Sequence, residues 1–314
     1  VTRSRGQLLE VRHDTRYRYQ RPVAPSHHVA HLKPTQDEYQ VLEDFVLQVR
    51  PQPAAWREGL DSFGNAQWHF ALTQPHQELI VSARSRVRVS SRFDRLDAAS
   101  GPAWESVRDR LRYVARAPFD PAVAFVQPSP FVQRLDALRA YGQVSFPPGL
   151  PVALGAMDLM RRIHADFTYR SQSTQIDTPL AQAFAQRTGV CQDFAHVMVG
   201  AMRMLGLPAR YVSGYLLTTA PPGEAAMVGA DASHAWVQVY APGTPGLPVD
   251  GWLDLDPTNN LIPGTGHVRL AVGRDFGDVT PLRGVIRGGG RHTLEVAVTT
   301  LALGDTSRPG PVVA

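Results

Sequence analysis

The stretch TGVCQDFAHVMVGAMRML, Thr188 to Leu205, constrains the fold more than any other part of the chain. Thr188, Gly189 and Val190 read as a loop. From Phe194 onward the residues are mostly Ala, Val, Met, Leu and Phe. A helix that is apolar on every side belongs inside a core rather than on a surface. On its first turn stands Cys191, the single cysteine of the chain. Backbone N–H groups and the helix dipole favour an anion at such a position, and the thiolate is the reactive form of a cysteine. A lone cysteine is more often just a small buried hydrophobe, so its meaning depends on what lies downstream.

The 314 residues suffice for about two domains and a substantial core. A hydrophobic content of 43% and a charged content of 19% are those of a soluble globular protein. One cysteine cannot form an internal disulfide, so nothing argues for an oxidising compartment. The opening VTRSRGQLLEVRHDTRYRY has basic residues but no apolar leader core, and no later run is long enough to span a bilayer. A cytoplasmic location without membrane association is the expectation. The pI near 9.4 raises the question of nucleic acid, but net charge is only +4. Lys33 is the only lysine, and the arginines are interspersed with acids, as in RFDRLD and RDRLR. Without a dense basic run, nucleic-acid binding is not expected.

Residues 1–95 are strand-like. LLEVRHDTRYRYQ, QVLEDFVLQVRP and ELIVSARSRVRVS alternate apolar with polar residues, and Asp61 to Asn65 (DSFGN) is a turn signal. An antiparallel sandwich or small barrel fits. His27, His28 and His31 lack a nearby Cys or carboxylate at ligand spacing, so they are expected as surface histidines and no metal site is expected. Residues 96–150 read as a proline-rich connector with one short helix, broken by APFDPAV, QPSPF and SFPPGLP. Within 151–314, helices are expected over 152–165 and 179–187, then the cysteine helix, which stops near Gly206 and Pro208. The strands ARYVSGYLLT, HAWVQVYAP, GWLDLDP and VRLAVGRDF follow, with a hairpin around Gly288 to Gly290. A helical layer followed by an antiparallel sheet is an α+β pattern.

A thiol nucleophile needs a base within hydrogen-bond reach and a third group to orient that base. His196 lies five positions past Cys191, which turns it about 140° away on a helix, so a structural role is expected. His234 opens a strand and can stand beside the helix N-terminus. Asp254 and Asp256 lie on one face of GWLDLDPTN, so periodicity does not separate them; Asp256 is held extended by Pro257.

GVCQDFAH, DASHAWVQVY and GWLDLDPTN, in this order, resemble the transglutaminase-like cysteine enzymes. RHDTRYRYQRPV with HHVAHLKPTQ resembles the β-rich N-terminal region of the bacterial branch, and HVRLAVGRDFGDVTPLRGVIRGGG its C-terminal segment. The resemblance covers most of the chain and is weakest from about Leu96 to Pro148. It implies a papain-like catalytic core after an all-β N-terminal domain, with Cys191 as nucleophile, His234 as base and Asp256 as orienter. The Asp-Pro-Thr pattern selects Asp256 over Asp254. The Cys191 N–H is the natural first oxyanion donor. Tyr169, from the aromatic-x-Tyr segment that this family often carries before the cysteine loop, and Gln192 are candidates for the second. Arg210, Tyr211, Tyr215 and Asp231 are candidates for lining a cleft, with core edge or surface as the alternative.

The expected chemistry is acyl transfer through a Cys191 thioester at a peptide or isopeptide amide of a peptide or protein substrate, without a cofactor. Hydrolysis is favoured, because no acidic loop resembles the calcium sites on which animal crosslinkers depend. Transglutamination or transfer to a small amine is the enzymatic alternative, and a scaffold that retains the fold is the non-enzymatic one. Arylamine acetyltransfer fits less well, since RTGVC stands where RGG-x-C is usual. Substrate identity and oligomeric state are not legible.

Overall fold

The computed structural model describes residues 6–116, 118–171, 173–217 and 233–303. Five strands come first: β1 (Gln7–Ala30), β2 (Gln40–Arg50), β3 (Ala55–Leu60), β4 (Ala66–Leu72) and β5 (His76–Val89). A helical stretch follows, with α1 (Trp104–Arg110), α2 (Asp136–Gln143), α3 (Val152–Asp166), β6 (Thr168–Tyr169), α4 (Leu180–Gln186), β7 (Thr188–Gly189) and α5 (Cys191–Met204). The chain continues through β8 (Ala209–Leu216), β9 (Ser233–Tyr240), β10 (Trp252–Leu255), β11 (His267–Gly273), α6 (Phe276–Val279), β12 (Leu282–Gly288) and β13 (His292–Ala302). No helix among the described residues is long and apolar enough to cross a membrane.

The first sheet is built on β1, whose 24 residues are long enough to serve two sets of partners. Its first half pairs with β5 on one edge and β13 on the other; its last residues pair with β4 and β12. The strand order is β2-β5-β1-β4-β3, with β12 and β13 also on β1. Chain order groups β12 and β13 with 151–314, but hydrogen bonding puts them in this first sheet. Gly288, Gly289 and Gly290 all take positive φ, which frees the chain to turn back into β13.

Both edges of β1 are occupied near its end, and this corrects the expectation of three surface histidines. His27 is exposed, but His28 and His31 are buried. The His28 ring stacks on Phe70 at 5.0 Å between centroids, while His31 Nδ1 lies 3.2 Å from the Thr280 carbonyl. Covered strands hide even polar side chains, and these rings find partners under the sheet rather than in water.

The second sheet is antiparallel, in the order β10-β9-β8-β11. α5 lies against β8 and β9 and is enclosed by α2, α3 and α4. Every residue of α5 from Asp193 to Arg203 is buried, as an all-round apolar helix requires. The connector does more than its prolines suggest. α2 places Leu138 and Tyr141 in the main core, and a 3₁₀ turn over Pro121–Phe125 adds Phe125. An eight-residue helix is too short to stand out by periodicity, and the prolines only fence it. Arg203, buried in the last turn of α5, ties this segment down. Its guanidinium donates to Phe125 O (2.9 Å), Ser129 Oγ (3.1 Å), Ala209 O (2.9 Å) and Arg274 O (2.6 Å).

The two sheets share a core in which Leu9, Val11, Val87 and Val89 meet Tyr215, Val268 and Leu270. β11 is an edge strand of the second sheet, and unpaired edges must be covered or satisfied. Two amide side chains of the N-terminal region do this. Gln40 accepts from Arg269 N (2.7 Å) and donates to Arg269 O (2.7 Å). Asn65, in the expected DSFGN turn, accepts from Val272 N (2.8 Å) and donates to Val272 O (2.7 Å). A bulge in β11 between Arg269 and Ala271 lets residues three apart face the same outer edge.

Candidate active site

Cys191 opens α5, with Val190 as an extended N-cap residue (φ −105°, ψ 178°). First-turn N–H groups have no intrahelical acceptor, so those of Cys191 and Gln192 remain for a ligand oxygen. The loop in front is fixed by Asp193, the third helical residue. Its Oδ2 accepts from Val190 N (2.8 Å) and from the Thr174 hydroxyl (2.6 Å). Burial raises the Asp193 carboxyl above its ordinary value, and these two hydrogen bonds only partly offset that. Glycine is required at 189, because a Cβ there would stand 2.5 Å from Asp193 Oδ2. Gly189 also pairs with Tyr169 through the parallel β6–β7 ladder, which brings the 168–178 segment beside the cysteine loop.

His234 is near the start of β9, a central strand between β8 and β10, and it is buried. Its Nε2 lies 2.7 Å from Asp256 Oδ2. Asp256 immediately follows β10 in a turn closed by Asp256 N to Leu261 O (2.9 Å), and its side chain is fully buried. The carboxylate is saturated with donors. Oδ1 accepts from Thr258 N (2.9 Å) and Asn259 N (3.1 Å); Oδ2 accepts from His234 and from Asn259 Nδ2 (2.7 Å), and His267 Nε2 lies 3.2 Å from it.

Burial by itself disfavours a charged imidazole at His234. Hydrogen bonds and charge from Asp256 and from Cys191 reverse this and push its pKa up to about 10. Burial likewise opposes ionisation of Asp256, but His234, His267 and Asn259 hold its carboxyl well below the usual range. Since Nε2 of His234 is committed to Asp256, Nδ1 is the ring atom left for the thiol. His234, Asp256 and His267 offer three ligand-type atoms within 4.8 Å of one another. Tetrahedral zinc ligands stand about 3.3 Å apart, whereas His234 and Asp256 are at 2.7 Å, a hydrogen-bond separation.

The other residues singled out from sequence separate clearly. Asp254, one pleat before Asp256, is buried and accepts from Trp236 Nε1 (3.4 Å) rather than meeting the His234 ring nitrogens. His196 is buried against Phe131 and Tyr211, and its Nε2 accepts from Phe276 N (3.2 Å). Tyr169 is 46% exposed beside the cysteine loop, with its ring 6.5 Å from Phe194. Gln192 turns its amide to the Ile176 carbonyl (3.0 Å), which holds the 168–178 segment. Tyr215 does not line an open cleft: it is 2% exposed, and its hydroxyl contacts His13 Nδ1 (3.0 Å) across the joint between the sheets. Arg210 lies over the Trp252 ring (4.1 Å) and bonds Gln238, on the core edge. Tyr211 is buried, within electrostatic reach of Cys191. Asp231 lies outside the described residues. His267, Asn259 and Asp193 were not picked out by sequence reasoning. The only signal for His267 was its place at the head of HVRLAVGRDF.

A thiol on the first turn of a core helix, facing a histidine and an aspartate on an antiparallel sheet, defines the papain-like class of α+β folds. The comparisons agree. Residues 9–88 match the family described as the bacterial transglutaminase-like N-terminal region, and residues 151–257 match the transglutaminase-like superfamily. An uncharacterized protein of Mycobacterium tuberculosis is 40% identical over 279 residues, covering 88% of this chain and 86% of that protein. A protein-glutamine gamma-glutamyltransferase of Pseudomonas aeruginosa is 34% identical over 116 residues, 36% of this chain and 16% of that one. The crystal structure of a candidate cysteine protease from Cytophaga hutchinsonii superposes with a TM-score of 0.70 at 22% identity, covering 98% of this chain and 94% of that one. The chain belongs to the transglutaminase-like superfamily, in the branch that carries the bacterial N-terminal region.

Proposed function

We propose that the chain is a thiol-dependent acyl-transfer enzyme that hydrolyses peptide or isopeptide amides, with Cys191 as nucleophile, His234 as acid and base, and Asp256 as orienter. The observation that carries this reading is the 2.7 Å contact of His234 Nε2 with a fully buried Asp256, which leaves the other ring nitrogen for the thiol at the head of α5. The Cys191 proton passes to His234, and the thiolate adds to the amide carbon. The oxyanion that forms is met by first-turn N–H groups of α5. His234 then gives its proton to the leaving nitrogen, the C–N bond breaks and a thioester remains. Water, deprotonated by His234, attacks the thioester and releases the acid and the thiolate. Asp256 keeps the imidazole in one tautomer and stabilises its charged form, without itself taking the proton.

Transfer to an amine is the second reading. It uses the same groups, and the name of the Pseudomonas relative favours it. Two experiments test the proposal. Iodoacetamide labelling of Cys191 is expected to stay fast well below pH 8.5, about the free-thiol pKa, and to lose that behaviour in His234→Ala. Equal, ordinary labelling in both forms would point to a scaffold. Peptide and isopeptide amides presented with a fluorescent primary amine then separate the two reactions: release of ammonia or amine without incorporation marks hydrolysis.

A further inference from the structure

The triad leaves one buried group in contact with it unused. His267 begins β11, is 7% exposed, and has Nε2 3.2 Å from the same Asp256 oxygen that His234 engages. Its ring stands edge-on to Trp236 at 5.4 Å and lies 6.0 Å from the His234 ring. A carboxylate that is fully buried holds its charge only if its oxygens are satisfied. On Oδ1 the donors are backbone groups of its own turn; on Oδ2 they are the side chains of His234, Asn259 and His267. Of these, Asn259 belongs to the same turn as Asp256, His234 to the neighbouring strand β9, and His267 to β11 at the opposite edge of the sheet, so His267 ties Asp256 to the far strand.

We propose that His267 is a positioning residue for the triad: its Nε2–H holds the Asp256 carboxylate at the oxygen facing His234. This rests on the triad reading given above. The His267 N–H restrains the carboxylate from swinging off the His234 ring, and it takes up part of the charge on Oδ2. Asp256 therefore orients the imidazole without raising its basicity so far that the proton on Nδ1 cannot pass to the leaving nitrogen. β11, which carries His267, is itself held by Gln40 and Asn65. The N-terminal sheet thereby contributes to triad geometry without reaching the thiol. The charged and titratable groups around His267 are Asp256 and His234 on one side, and Tyr39, Asp254, Arg92 and Arg269 in the crevice it shares with Trp236.

Two substitutions separate the hydrogen bond from the packing. His267→Phe keeps a ring against Trp236 and removes the donor, whereas His267→Gln keeps a donor and removes the ring. With iodoacetamide at about pH 6, the Phe variant is expected to label Cys191 about 10- to 100-fold more slowly than the native chain, and the Gln variant within about threefold of it. Native-like labelling in the Phe variant overturns the assignment, as does an equal loss in both, which would mark His267 as packing alone. A direct reading needs no variant: ring ¹H–¹⁵N correlation spectra of the native chain are expected to show His267 protonated at Nε2. A bare Nε2 overturns the inference while leaving the triad intact. If instead the native chain labels no faster than His234→Ala, the triad reading fails and takes this inference with it.

Discussion

Asn65 holds Val272 of β11 through both halves of its amide, accepting from Val272 N at 2.8 Å and donating to Val272 O at 2.7 Å. Asn65 is 1% exposed, so water does not replace either bond when it is lost. Asn65→Ala strands two backbone groups at a covered edge, and each unsatisfied group costs about 1–3 kcal/mol. The expected result is a lower urea midpoint at unchanged slope, a loss of about 2 kcal/mol or more. An unchanged midpoint would mean that the Asn65 bonds add nothing to the joint beyond Gln40 and the apolar packing between the sheets.

Stability should follow pH in a way set by the His234–Asp256 pair. The pKa of His234 is raised to about 10, so its contribution is complete below its ordinary value and is lost as pH climbs through about 10. The Asp256 pKa is lowered, so its contribution is present above the ordinary carboxyl value and is lost as pH falls below that. The stability gap between the native chain and His234→Ala is therefore widest between about pH 4 and pH 6.5, and narrows steadily toward pH 10. Urea melts at several pH values measure it. A gap that widens with alkalinity would contradict the ion pair.

Gly189→Ala is a small change that should act on the Cys191 thiol. The added methyl would stand 2.5 Å from Asp193 Oδ2, well inside contact distance, so Asp193 must withdraw from Val190 N or the loop must move. Either breaks the anchor that sets the first turn of α5. A stability loss of about 1–3 kcal/mol is expected, together with slower Cys191 labelling at neutral pH. Asp193→Asn keeps an acceptor for Val190 N and should lose less on both measures.

The legible parts of this molecule were those whose chemistry is local in sequence. The α5 helix announces its burial through composition. Cys191, His234 and Asp256 each sit in a short motif whose order along the chain carries the resemblance. What stayed hidden depends on distant partners. Gln40 meets Arg269 across 229 positions, and Asn65 meets Val272 across 207. Nothing local marks a glutamine as the cover of an edge strand. The burial of His28 and His31 escapes a local reading, because β4 and β12 flank the end of β1 and Pro281 takes the His31 N–H, all from elsewhere in the chain. α2 was lost behind prolines, which signal a break in the chain but say nothing about the short helix between two breaks. Tyr215 alternates as a cleft residue would, yet its partner is His13, 202 positions earlier.

The choice between Asp254 and Asp256 is one that strand alternation could not make, and it can be tested by paired substitutions. Asp256 receives backbone donors on Oδ1 and side-chain donors on Oδ2, and its contact with His234 Nε2 is 2.7 Å. An asparagine there can present only one acceptor oxygen. If its amide nitrogen replaces Oδ2, two donors face each other, and His234 loses the charge that holds its proton. Asp256→Asn should therefore lower amide turnover on the order of 10³- to 10⁴-fold with little change in KM, as loss of an orienting carboxylate does elsewhere. Asp254 meets Trp236 Nε1 at 3.4 Å, a long bond that asparagine can reproduce. Asp254→Asn should stay within about tenfold of the native rate, with its cost appearing in stability instead. Equal losses of turnover at the two positions would mean that β10 acts on His234 as a packed unit and that Asp256 has no special role.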